Sequence, residues 1–367
     1  MSRISDIVRY MEELAPANLA EDYDNVGLLI GNRGTKVNRI LVCLEVSSKV
    51  VDEAVEKNVD LIVSHHPVIF KGLKRINGDD FKGSIIYKLI KNDIGVYSAH
   101  TNLDVAHGGV NNHLSSLLGL TKISNLTGYK SEKLFKIVVF VPVESIDSVR
   151  DSMSRAGAGW IGNYSDCSFM TKGIGTFMPL EGTNPYIGTR DKLEKVDEYR
   201  LETVVSKDNL QKVIEAMNNA HPYEEVAYDV YPLELNSKEY GMGNVGMLDE
   251  PRTLKNFISL VKEKLSVKTV RLIGSIDREI KKVAVFCGSF DNRVARAAKL
   301  QADVLVTGDV KYHDAMDMVE MGMCVIDAGH FNTERVIVPR LVQLLSNRFA
   351  DLEVMENYVE EDPFKYC

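Results

Sequence analysis

Two textures of apolar residues alternate along this chain. One is the short unbroken run, as in Ile40-Leu41-Val42-Cys43-Leu44, Leu61-Ile62-Val63 and Ile94-Gly95-Val96-Tyr97-Ser98-Ala99. Such runs predict strands buried on both faces, because a strand with one wet face would alternate. The other is the stripe formed by Ile4, Ile7, Val8, Met11 and Leu14, which predicts an amphipathic helix over 3–14. Helical stretches over 48–58 and 81–92 separate the three runs, and another follows over 110–118. Strand, helix and strand at that spacing make a βαβ unit, so these strands are expected to be parallel.

From about residue 130 the texture changes. Strands over 135–142, 199–205 and 227–231, helices over 145–155 and 210–220, and a glycine-rich aromatic stretch from Gly157 to Phe177 follow one another. Taken as β-α-β-β-β-α-β, this order suggests a ferredoxin-like module. Gly241-Met242-Gly243-Asn244-Val245-Gly246 is expected to be a flexible return to the first texture. Strands over 283–288, 303–307 and 324–328 then alternate with helices over 254–264, 292–300, 313–321 and 335–349. The expected organisation is an α/β protein of three stretches: 1–128, an inserted 129–236, and 237–367.

The outer stretches repeat one another. Residues 40–64 align without a gap on 283–307, so that Asp60-Leu61-Ile62-Val63-Ser64 matches Asp303-Val304-Leu305-Val306-Thr307. One strand later, His100-Thr101-Asn102-Leu103-Asp104 matches His330-Phe331-Asn332-Thr333-Glu334, and both read His-x-Asn-x-carboxylate. Two such halves about a pseudo-twofold axis would turn their strand ends toward one cleft. The first half adds His65-His66-Pro67, whose proline stops the strand, where the second has Gly308-Asp309. Adjacent histidines at a strand end are either turn residues bonded to backbone or ligands for two different ions. The repeat favours ligands, and imidazole with carboxylate and no thiolate suits Zn, Fe or Mn. Asp309, Lys311 and His313 fall near the same cleft by the repeat and are candidates for proton relay or charge stabilisation. His107, His113 and His221 lack such a context, and the turn at Tyr23-Asp24-Asn25-Val26-Gly27 reads as an ordinary tight turn before it reads as part of the cleft lining.

Composition narrows the class. With 367 residues, 45% hydrophobic and 26% charged, the chain has ample length for a core. A net charge of −8 without any Lys/Arg block speaks against nucleic-acid binding through phosphate contacts. Cys43, Cys167, Cys287, Cys324 and Cys367 form no CxxC pair, which fits free thiols in a reducing compartment. No apolar run approaches the ~20 residues of a membrane span, so a cytoplasmic protein is expected.

Ser64-His65-His66-Pro67, Thr101-Asn102-Leu103-Asp104, Thr307-Gly308-Asp309 with Tyr312-His313, and Asp327-Ala328-Gly329-His330 with Glu334 resemble the motifs of a known family. It is the family of dinuclear-metal proteins known as GTP cyclohydrolase I type-two homologues, or Nif-three-like proteins. The resemblance implies two divalent ions (Zn, Fe or Mn) on His65, His66, Asp104, His330 and Glu334, with Glu334 bridging them. His100 takes a supporting position or that of an occasional ligand. Gly157 to Tyr164 and His221-Pro222-Tyr223-Glu224-Glu225 resemble signatures of a PII/CutA-like insert carried by longer members. The family also implies a homohexamer. The expected function is a metal-dependent hydrolase of a nucleotide or another phosphate-containing small molecule; the alternative is a non-catalytic metal-binding or regulatory scaffold.

Overall fold

The computed structural model describes residues 2–235 and 239–365, so Cys367 lies outside the described residues. The chain forms two compact units, one made of Met1–Lys130 with Tyr240–Cys367 and the other of Ser131–Glu239. In the first unit the strands Arg39–Cys43, Leu61–Ser64 and Gly95–Ser98 run parallel in one sheet. The strand Gly27–Ile30 joins antiparallel beside Gly95–Ser98, and Glu353–Glu356 joins parallel beside Arg39–Cys43. A second sheet repeats the plan: Glu279–Ser289, Val304–Gly308 and Cys324–Asp327 are parallel, with Arg271–Ile273 antiparallel at one edge. Its other side carries Glu239–Thr253 and then Thr121–Ser131.

The unbroken apolar runs follow from burial on both faces. Ile40, Val42, Leu61 and Val63 point into a central core that also takes Val283, Val285, Val304, Val306 and Ile326 from the second sheet. Ile7, Leu114, Phe257 and Leu341 bring helices into this shared core. The alternate residues Leu41, Cys43 and Ile62 face an outer cluster under the helices Ser48–Glu56 and Phe81–Lys91. In the second half Ala284, Leu305 and Val325 do the same. With a side-chain period of two, every strand position therefore has a dry neighbour.

The repeat extends to single hydrogen bonds. The Asp60 carboxylate accepts from the backbone N–H groups of Asn38 (2.7 Å) and Arg39 (3.0 Å). Asp303, its counterpart, accepts from those of Lys281 and Lys282, both at 2.8 Å. Each aspartate thus ties the start of one strand to the start of its neighbour.

The second unit is an antiparallel sheet in the order Ser168–Phe177, Glu194–Ser206, Leu134–Pro142, Tyr228–Leu233. The helices Ile146–Arg155 and Lys207–Ala220 cover one face through Val149, Met153, Val213 and Met217. Its connectivity is β-α-β-β-α-β, one strand fewer than expected, because 178–193 forms no strand. The 241–246 segment is also not a loose return: it lies inside the strand Glu239–Thr253. A side chain at Gly241 would collide with Asn125 and Thr127, so glycine there allows close strand approach rather than flexibility.

Thr121–Ser131, Ser168–Phe177, Arg271–Ile273 and Glu353–Glu356, which the apolar pattern does not predict, are edge strands, whereas Glu239–Thr253, also unpredicted as a strand, lies inside its sheet. An edge buries little, so its residues carry little apolar signal. Replacing Asp303 by Ala removes two amide partners and should cost about 1–2 kcal/mol of stability. Urea unfolding checks this, and Asp60→Ala should behave alike.

Candidate metal centre

The carboxyl ends of the parallel strands supply the polar residues, as expected for α/β sheets. His65 and His66 directly follow Leu61–Ser64, and their N–H groups extend the ladder to the carbonyls of Cys43 (3.2 Å) and Leu44 (2.8 Å). His100 caps the short helix Thr101–Val105, which carries Asp104. His330 and Glu334 sit four residues apart on the helix His330–Arg335, so they share one face. The expected helix over 335–349 is thus preceded by a separate helical segment that presents both residues.

In each of the four histidines Nδ1 is held by an acceptor. His65 Nδ1 donates to the carbonyl of Ala99 at 2.8 Å. His66 Nδ1 meets Glu45 Oε2 at 2.9 Å, His100 Nδ1 meets Asp24 Oδ1 at 2.9 Å, and His330 Nδ1 meets Asp309 Oδ2 at 2.8 Å. An acceptor on Nδ1 orients the ring and leaves Nε2 for other work. His65 Nε2 lies 3.5 Å from Asp104 Oδ1 and 3.7 Å from Glu334 Oε1. His66 Nε2 and His330 Nε2 each lie 2.9 Å from Glu334 Oε2. The first is a hydrogen bond; the second has the distance but not the direction of one, so His330 Nε2, like His65 Nε2, is buried without a hydrogen-bond partner.

Three groupings bring potential ligand atoms within 4.8 Å of one another: His65 with Asp104 and Glu334, His66 with His330 and Glu334, and His65 with His66 and His100. Buried, unsatisfied imidazole nitrogens beside carboxylates are what a cation-binding cluster leaves when described without its ion. The donor set is nitrogen and oxygen only. The nearby Cys287 Sγ donates to Asp104 Oδ1 at 3.2 Å, and burial pushes this thiol up, so it serves as a proton donor to the carboxylate. The residues present therefore fit the binding of a divalent metal ion.

Electrostatics follow from the same crowding. Burial lowers the His66 imidazole, but the carboxylates of Glu334 and Glu45 outweigh it and raise the group to about 10. His330 goes to about 9 by the same contest with Glu334 and Asp309. Burial opposes the charge on Glu334, yet three imidazoles hold its carboxyl well below the usual range. Asp104 is raised, by burial first and with Glu334 adding, against the pull of His65. At Asp24, hydrogen bonds from His100 and Thr101 overcome burial and bring the carboxyl to about 2.

Some neighbours of the cluster escaped the sequence reading. Asp24 belongs to a turn read first as ordinary and only second as cleft lining, and it holds His100. Glu45 follows the strand Arg39–Cys43 by two residues, and that strand-end position is the signal that points to it. Gly288, its counterpart in the repeat, has φ +66°, and a Cβ there would meet Glu334 Oε1 at 2.1 Å. Of the candidates for proton relay or charge stabilisation, Asp309 holds His330. Lys311 lines a basin of about 1090 Å³ that opens over His66 and His330, whereas His313 is exposed and not among the basin's lining residues.

The chain matches the family model described as Duf34/NIF3 (NGG1p interacting factor 3) over residues 2–363. A Halalkalibacterium halodurans protein named GTP cyclohydrolase 1 type 2 homolog is 44% identical, covering 98% of both chains. A Bacillus subtilis protein of the same name is 42% identical over 98% of this chain and 97% of its own. A solved Bacillus cereus protein related to NIF3 is 41% identical, with TM-score 0.86 over 100% of this chain and 99% of its own. No helix among the described residues is long and apolar enough to cross a membrane.

In protein stripped of metal, the raised His66 contributes stability that is complete below its ordinary value of 6.5 and is lost as pH rises through about 10. Urea midpoints of the stripped protein should fall across that window, and His66→Gln should flatten the fall.

Proposed function

The chain belongs to the Duf34/NIF3 family, and from that premise we propose that it is a dinuclear-metal protein acting as a metal-dependent hydrolase. The observation that carries the reading is the position of Glu334. It is the residue common to the His65–Asp104 and His66–His330 groupings, with Oε1 toward the first and Oε2 toward the second. His65, Asp104 and Glu334 would hold one divalent ion and His66, His330 and Glu334 the other. Zn, Fe or Mn bound there would supply Lewis-acid chemistry to a hydrolytic reaction.

The chain's own residues support a nucleotide or another phosphate-containing substrate. The basin over His66 and His330 is flanked by Phe290 and Phe331 and carries charges of both signs, with the basic residues Lys49, Lys311, Arg271 and Lys365 set among a larger number of carboxylates, Glu45, Asp309 and Glu360 included. Arg271 is engaged by Asp327 and by the carbonyl of Val310. Among the described residues Lys49 and Lys311 have no ion-pair partner, so they remain to meet anionic oxygens. Asp309 Oδ2 accepts from His330 Nδ1 at the basin's edge, where it orients that ring and is placed to hold a proton. His313 takes no part in this reading.

Assembly belongs to the same proposal. Phe169, Met170 and Ile174 are exposed along the edge strand Ser168–Phe177, a pattern that a solitary chain ordinarily avoids and that supports association with further copies, for which the family resemblance implies a homohexamer. The β-α-β-β-α-β connectivity of the second unit supports the PII/CutA-like reading of the insert.

Elemental analysis should find about two transition-metal ions per chain, and Glu334→Gln should bring the content below about one, since Glu334 serves both groupings. Turnover on a panel of nucleotides and phosphodiesters should accompany the metal, and Lys311→Ala should raise KM several-fold with metal content unchanged. Protein that holds its metal and turns over nothing in the panel would leave the scaffold reading in place of the enzyme. Light scattering in solution should give the mass of six chains.

A further inference from the structure

The second unit holds a cavity of its own, about 620 Å³, on the sheet face opposite its two helices. Glu198 lines it from the strand Glu194–Ser206, and Phe140, Phe177, Tyr186 and Tyr223 supply its rings. The Tyr223 ring centroid lies 5.8 Å from that of Phe177 and 6.2 Å from that of Tyr186. Pocket walls of this kind, aromatic with a few convergent polar and charged groups, are those of small-ligand sites.

Glu198 is the informative residue. Its relative exposure is 7%, and among the described residues its hydrogen-bond partner is the Tyr223 hydroxyl, which donates to Oε1 at 3.1 Å. Burial, with Glu198 adding, pushes the Tyr223 phenol upward, so it remains a donor. Among the described residues no basic side chain pairs with Glu198. The two cations that line the cavity are engaged elsewhere: Arg200 pairs with Glu202 at 2.8 Å and lies over the Phe140 ring at 5.9 Å, and Lys172 lies over Tyr199 at 5.5 Å. A buried carboxylate without a counter-cation is costly to the fold. The backbone nevertheless makes room for it, since a Cβ at Gly175 would meet Glu198 Oε2 at 2.0 Å.

The segment His221-Pro222-Tyr223-Glu224-Glu225 completes the cavity. His221 Nε2 bonds the carbonyl of Phe140 at 2.9 Å, which anchors the segment, and Tyr223 reaches Glu198. Glu224 Oε1 accepts the N–H of Asn184 at 3.0 Å, tying the 178–193 loop to the same rim.

We propose that this cavity is a binding site for a small organic cation, an amine or amidinium on an apolar body, with Glu198 as its counter-ion and the rings of Phe177, Tyr186 and Tyr223 as its cage. A carboxylate supplies the charge, and aromatic faces attract a cation through their quadrupoles while burying its apolar body. The site is separate in sequence and chemistry from the histidine cluster, so it does not depend on the hydrolase reading.

Calorimetric titration of the full-length protein with benzamidine tests the proposal, with benzyl alcohol as the neutral control and benzoate as the anionic one. Benzamidine should bind and the two controls should not. Glu198→Gln, which keeps the size of the side chain and an acceptor for Tyr223, should weaken benzamidine at least tenfold with metal content unchanged. Should that variant not fold, Phe177→Leu thins the cage without touching the carboxylate and should also weaken benzamidine several-fold. Absence of benzamidine binding, equal affinity in the variant tested, or preference for benzoate through Arg200 would each overturn the proposal.

Discussion

A carboxylate buried to 3% exposure, faced by three imidazoles, is the constraint around which the first unit is arranged. Glu334 could not be buried in this core without compensation, because an isolated carboxylate in an apolar interior loses its solvation. Its compensation comes from both halves of the unit: His65 and His66 from one, His330 from the other. Those imidazoles converge only if the two sheets share one core, and the mixed membership of that core, Val42 and Val63 with Val285 and Val306, is what brings the strand ends together. Gly288, without a side chain, leaves the space Glu334 Oε1 occupies.

The two halves are copies in backbone and unequal in chemistry. Where the first half has His65-His66, the second has Gly308-Asp309. A side chain at Gly308 would run into the backbone of Gly288 and His330, and Asp309 orients the His330 ring. Where the first half has Glu45 to hold His66, the second has Gly288 to admit Glu334. One copy thus contributes paired imidazoles and the other contributes the shared carboxylate and the room for it. Duplication accounts for the convergence of strand ends, and divergence at these few positions accounts for two unlike groupings in one cleft.

The second unit presents the opposite balance. Its helices cover one face of the sheet at the strands Leu134–Pro142 and Glu194–Ser206, while the other face keeps a buried acid among rings and the edge strand Ser168–Phe177 is left with exposed apolar side chains. A small module of this kind gains most of its stability from the helix-covered face. The remaining face is therefore free to carry a ligand or a neighbour.

The sequence by itself determined the α/β alternation, the parallel central strands and the internal repeat, because burial on both faces forces unbroken apolar runs and copying preserves them. It also marked the strand-end histidines and carboxylates, since a proline or a cap residue stops each strand where they stand. The interior strand Glu239–Thr253 was hidden by its glycines. Although 227–231 was legible, most edge strands were not, because an edge buries too little to impose a pattern. Nor were Asp24 and Glu45 as supports for His100 and His66, or Glu198 as an acid without a cation: their significance lies in partners 76, 21 and 25 residues away. Which nitrogen of each imidazole is held, and which is left facing a carboxylate, was decided only when tertiary packing set an acceptor against Nδ1. Side-chain chemistry is written locally, but the direction in which it points is fixed by groups that folding brings from elsewhere.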